Sequence, residues 1–86
     1  MNFAQILLKL AEQGTRARRK GWNGKGLYLF LVTGWDISSG PAFIEVSTVD
    51  SHCEFAPFIA MRTADEKICP WLASQTDILA NDWEII

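Results

Sequence analysis

The sequence predicts an α+β fold: an N-terminal helix packed on a small, mostly antiparallel sheet, with a short second helical turn near the C-terminus. Three observations predict it. Apolar residues at the start recur with a helical period. Later apolar runs are strand-length and bounded by turn residues. An Asn-Gly pair, the strongest short hairpin signal, stands before the longest of those runs. The 86 residues are expected to form one domain spanning 1–86.

The opening helix is punctuated clearly. Asn2 with Gln5 three residues later is a capping-box pattern. Phe3, Ile6, Leu7, Leu10 and Ala11 follow the spacing of one buried face. Leu8 lies off that stripe and suggests a second apolar contact, such as another subunit. Gly14 suits the left-handed position that ends a helix. Thr15 to Lys20 is short and charged, which predicts a brief edge strand. Gly21-Trp22-Asn23-Gly24-Lys25-Gly26 is a tight loop, and Leu27 to Val32 is apolar on both faces, hence a central strand.

Trp35 to Pro41 reads as a loop, Ala42 to Val46 as a strand, and Ser47 to Glu54 as a polar loop. Phe55 to Met61 is a further strand, broken or edged by Pro57. Ala64 to Lys67 is a turn, and Ile68-Cys69 begins a short return that Pro70 limits. Ser74 with Asp77 forms a second capping box, opening a helical turn through Ala80. Trp83 to Ile86 alternates as a final strand, with Trp83 in the core.

Composition narrows the function. At 49% hydrophobic and 21% charged residues the chain is globular. No apolar run approaches the roughly 18 residues of a membrane span. No basic segment opens the chain, so no secretory signal is expected and the thiols of Cys53 and Cys69 are expected to be reduced in a cytoplasm. A domain this small buries only about 60–65% of its unfolded surface, which favours an obligate oligomer.

The formal charge of -2 hides a split. Arg16, Arg18, Arg19, Lys20 and Lys25 fall together, with no acid between Glu12 and Asp36; nine acids and two bases follow. The split fits either a solvated face paired with the acidic part or an anion site, with Arg18 and Arg19 as candidate phosphate contacts.

Catalytic patterns are lacking. One histidine, His52, offers no Ser-His-Asp arrangement, and His52, Cys53 and Cys69 lack metal-site spacing, so no enzyme, metal or cofactor is expected. Four tryptophans in 86 residues are far above the one or so that is usual. They either fill a small core or build an aromatic binding surface. The loop at Trp22 could cradle an anion with Lys25 or could be a turn with its indole in the core. Pro70 to Asp77 places Trp71 beside hydrogen-bonding side chains at a helix start, fit to stack on a base or, alternatively, to cap and pack.

Trp22-Asn23-Gly24-Lys25-Gly26, Met61-Arg62-Thr63-Ala64-Asp65, Pro70-Trp71-Leu72-Ala73-Ser74-Gln75-Thr76-Asp77 and Asp82-Trp83-Glu84 together resemble the Thoeris anti-defense 2 family of small phage and prophage proteins. The resemblance implies a sponge in the bacterial host cytoplasm. It would bind, without cleaving, the cyclic ADP-ribose-type signal (glycocyclic ADP-ribose) of Thoeris immunity. It implies a homotetramer with pockets between subunits, and in some members separate pockets for the cyclic di- or trinucleotides of CBASS-type defence. It places Trp22, Asn23, Lys25, Trp71, Ser74, Gln75, Thr76 and Asp77 near ligand. The chain departs from the family pattern at Phe58, where relatives often carry His, and at Glu66-Lys67, where a glycine-containing turn is usual.

Two other classes fit the residues. A protein-binding module would use the tryptophans as anchors against a host defence protein. A single-strand nucleic-acid binder would use Arg16 to Lys20 as a track, but the acidic remainder of the chain argues against it. No membrane or nucleic-acid polymer is expected as a partner.

Overall fold

The computed structural model describes residues 1–12, 14–22, 26–33 and 56–86. The expected strand at 42–46, the loops around it, His52, Cys53, Trp35, Asn23 and Lys25 lie outside the described residues. The elements are α1 (Phe3–Leu10), β1 (Ala17–Arg19), β2 (Tyr28–Val32), β3 (Phe58–Arg62), β4 (Ile68–Pro70), α2 (Gln75–Leu79) and β5 (Trp83–Ile85). The five strands form one sheet in the order β4-β3-β2-β1-β5, and every pairing in it is antiparallel. The expected α+β architecture is therefore present.

Both helices start as their capping boxes predict. The Asn2 side chain accepts from the Gln5 amide, and the Gln5 side chain accepts from the Asn2 amide, each at 2.9 Å. Ser74 and Asp77 do the same at α2. The buried stripe of α1 is narrower than its spacing predicts. Ile6 and Leu10 are buried and Phe3 partly so, but Leu7 and Ala11 are exposed. The helix ends at Leu10, which leaves Ala11 as its C-cap and outside the buried stripe. Gly14 does take a left-handed φ of 84°, in the turn beyond the helix rather than at its cap.

β1 is a correction. It is not an edge strand: β5 pairs with it on one side and β2 on the other. The charges read as edge protection instead meet acids brought by the C-terminal strand and helix. Arg18 Nε lies 2.9 Å from Glu84 Oε1, and Arg19 pairs with Asp77 and Asp82. β2 is central as expected, and β3 begins just after Pro57 rather than at Phe55. Pro70 closes β4 as its last residue, on the sheet edge where a missing amide costs no ladder bond.

Register fixes which side chains meet α1. Ala17 is opposite Leu29, Leu29 opposite Met61, and Met61 opposite Cys69, one row across the sheet. On this face Ala17, Leu29 and Trp83 join Ile6 and Leu10 in the core. Trp83 is 1% exposed, so its assignment to the core holds. Tyr28 and Phe30 alternate with Leu29 and so point to the other face.

Candidate ligand-binding site

Two of the sequence strings singled out above meet at one place. Trp22 follows β1, and Trp71 lies between β4 and α2. Both rings pack edge-on against the buried Trp83, with centroids 5.4 Å and 6.1 Å away and interplanar angles of 77° and 86°. Phe3 of α1 completes the group, 5.6 Å from Trp83 and 6.0 Å from Trp71. Edge-to-face packing sets the positive rim of one ring against the negative face of the next, a favoured geometry for aromatic pairs. Trp83 is the hub, and Trp22 and Trp71 are only partly buried beside it.

Hydrogen bonds hold this group in place. The Trp83 indole Nε1 donates to the Asp77 carbonyl at 2.9 Å. The Trp71 amide donates to the Ile59 carbonyl at 2.9 Å, and the Trp22 amide to the Arg19 carbonyl at 3.2 Å. The Arg19 guanidinium lies between two carboxylates, with Nε 2.8 Å from Asp82 Oδ1 and Nη1 3.0 Å from Asp77 Oδ1. The other Asp82 oxygen accepts from the Gly21 amide at 3.1 Å.

These contacts shift the acids. Hydrogen bonding from Arg19 holds the Asp82 carboxyl below the ordinary aspartate range. At Asp77 partial burial pushes the pKa up, but hydrogen bonds from Ser74 and Arg19 outweigh it and the net shift is down. Hydrogen bonds to Asp82 and then Asp77 raise Arg19 further above its already high value.

The predicted site residues therefore divide. Trp22 and Trp71 are brought together. Ser74, Gln75 and Thr76 are exposed at the start of α2. Asp77 is engaged within the chain through both oxygens, one toward Arg19 and one toward Ser74. Arg19 is engaged by two acids, and Arg18 by Glu84. Asp82 and Phe3 were not singled out as site residues. Asp82 lay in a closing string whose role rested on Trp83, and Phe3 looked like ordinary helix stripe.

A concavity of about 410 Å³, not lined by Trp22, Trp71 or Trp83, was not foreseen. Its lining includes Gly14, Thr15, Arg16, Tyr28, Phe30 and Ile68. The Arg16 guanidinium stands 4.8 Å over the Tyr28 ring, and Phe30 is 5.9 Å from Tyr28. Among the described residues no carboxylate pairs with Arg16. The period-two alternation of Tyr28 and Phe30 was the available signal. Among the described residues no His, Cys, Asp and Glu cluster could hold a metal ion, and no helix is long and apolar enough to cross a membrane.

A family model described as the Thoeris anti-defense 2-like domain matches residues 1–86. A protein of Bacillus phage SP01 named Thoeris anti-defense 2 is 38% identical over 86 residues, covering all of this chain and 94% of its own length. With the match running over all 86 residues, the chain belongs to the Thoeris anti-defense 2-like family.

Proposed function

We propose that this protein is a phage anti-defence sponge acting inside the host cell. It binds the cyclic ADP-ribose-type signal of Thoeris immunity and sequesters it without cleavage. The observation that carries this reading is the convergence of Trp22 and Trp71 on Trp83. Two partly exposed indoles, with the exposed Gln75 amide and Thr76 hydroxyl opening the helix that follows Trp71, suit a ligand with an adenine, two riboses and a pyrophosphate, and Ser74 serves by capping that helix. Asn23 and Lys25, from the same loop as Trp22, are proposed to add an amide and a cation. Asp77 and Arg19 serve the site by holding it, since their charged groups already engage one another.

The functional unit is proposed to be a homotetramer with sites between subunits. Leu72, Leu79 and Leu8 are 92%, 76% and 74% exposed, more apolar surface than a small monomer leaves to water without cost. The cleft at Arg16 and Tyr28 offers an aromatic face and a cation, the chemistry a cyclic dinucleotide of CBASS-type defence would use. The same exposed leucines favour a second reading, a module that blocks a host defence protein. Pull-down from host lysate separates the two, because a sponge captures no stoichiometric protein.

Isothermal titration calorimetry with purified glycocyclic ADP-ribose isomers and with cyclic dinucleotides tests the proposal. Saturable binding of at least one is expected. Heat-silent titrations with all of them, at protein concentrations that hold the oligomer together, would refute it.

A further inference from the structure

Trp22 and Trp71, 49 positions apart, each pack on Trp83, so the spacing between them depends on how the segments that carry them are tied together. We propose that Arg19 is the positioning residue that sets it, acting through Asp77 and Asp82; the inference rests on the ligand reading above. From β1, one guanidinium bonds to the helix that follows Trp71 and to the residue that precedes Trp83. Asp82 passes the constraint on by accepting from Gly21, the neighbour of Trp22. Main-chain carbonyls add two further bonds: that of Arg19 accepts from the Trp22 amide, and that of Asp77 accepts from the Trp83 indole. The guanidinium thus reaches the residue before Trp83 directly, the residue before Trp22 through Asp82, and, through Asp77, the helix whose main chain holds the Trp83 indole.

The chemistry of the group matters as much as its charge. A planar fork directs Nε and Nη1 at two acceptors along fixed lines, whereas an ammonium is a point charge on a flexible stem. Arg19 does not need to touch ligand. Its side chain is 19% exposed, and its bonded nitrogens are committed to the two acids. Arg62 does a smaller version of the same work at the far end of the Trp22 loop, donating from Nη1 to the Gly26 carbonyl at 2.9 Å.

Arg19→Lys tests this, because it keeps the charge and loses the fork. Near-ultraviolet circular dichroism reads the packing of the three indoles, and calorimetry with glycocyclic ADP-ribose reads the site, both on the full chain. Arg19→Lys is expected to keep its far-ultraviolet spectrum and a cooperative melt, to change the tryptophan bands, and to weaken binding about tenfold or more. Asp82→Asn, nearly isosteric, is expected to do the same and carries the test if Arg19→Lys does not fold. Lys9→Gln, on the exposed side of α1, should alter neither. Wild-type tryptophan bands in both variants would overturn the proposal, and so would altered bands with unchanged affinity. If the wild-type protein binds no glycocyclic ADP-ribose, the ligand reading falls while the near-ultraviolet bands still decide whether Arg19 sets the indole geometry.

Discussion

Two arginines show how the same ion pair can do different work at two ends of this molecule. Arg19 bonds to acids 58 and 63 residues away, at 2.8–3.0 Å, with all three side chains mostly shielded. Arg62 meets Glu66 four residues on, at 3.4 Å, and Glu66 is 81% exposed. Solvent screens the second pair, so it adds little to stability. The first reinforces the pairing of β1 with β5 and ties α2 to the same strand. Contact alone does not make a charge pair structural; what counts is whether it joins distant parts of the chain.

The aromatic end of the sheet offers the largest effect. Trp83→Ala removes the hub that Phe3, Trp22 and Trp71 share, and should cost about 3–5 kcal/mol of folding stability by denaturant unfolding. A cost below about 1 kcal/mol would mean the hub is not a hub. Trp71→Ala should act differently. Its ring is partly exposed, so the variant should stay folded and oligomeric while losing roughly five- to 150-fold in ligand affinity, the range of one stacked base. An insoluble or monomeric variant would place Trp71 in the core or in a subunit interface.

Acid should separate the two ion pairs next. The Asp77 and Asp82 pKa values are lowered by folding. Their contribution to stability is therefore complete above the unfolded aspartate value of about 3.9 and is lost as pH falls through the lower folded values. The melting temperature of the wild type should drop between about pH 5 and pH 2, and Asp82→Asn should flatten that drop. An unchanged slope in Asp82→Asn would show that Arg19 gives this acid no special stability.

The smallest effect belongs to the hairpin turn. Glu66 has φ 64°, the left-handed region that glycine enters without penalty. Glu66→Gly should raise stability by about 0.5–1 kcal/mol in thermal unfolding, even though it deletes the Arg62 pair. Destabilisation would mean that the exposed pair is worth more than the backbone strain.

Local signals made much of this legible beforehand. Both capping boxes, the central strand β2, the stop at Pro57 and the burial of Trp83 follow from neighbours in sequence. What failed was long-range. β1 looked like an edge because its charges looked solvated, and nothing local says that β5 will return beside it carrying Glu84 and Asp82. The ion pairs of Arg19 with Asp77 and Asp82 were illegible for the same reason: a lone charge in a sequence shows no partner. The convergence of Trp22 and Trp71 on Trp83 was not legible: the resemblance placed both near ligand without assigning them to one pocket, and period and spacing do not connect residues so far apart.

The central claim is that the signal is held and not consumed, and it is tested most directly by what comes off the protein. The wild-type chain should be loaded with glycocyclic ADP-ribose, stripped of free ligand, denatured by heat, and the released molecule identified by mass spectrometry. Recovery of the intact cyclic compound in stoichiometric amount is the predicted result; recovery of linear ADP-ribose would contradict it.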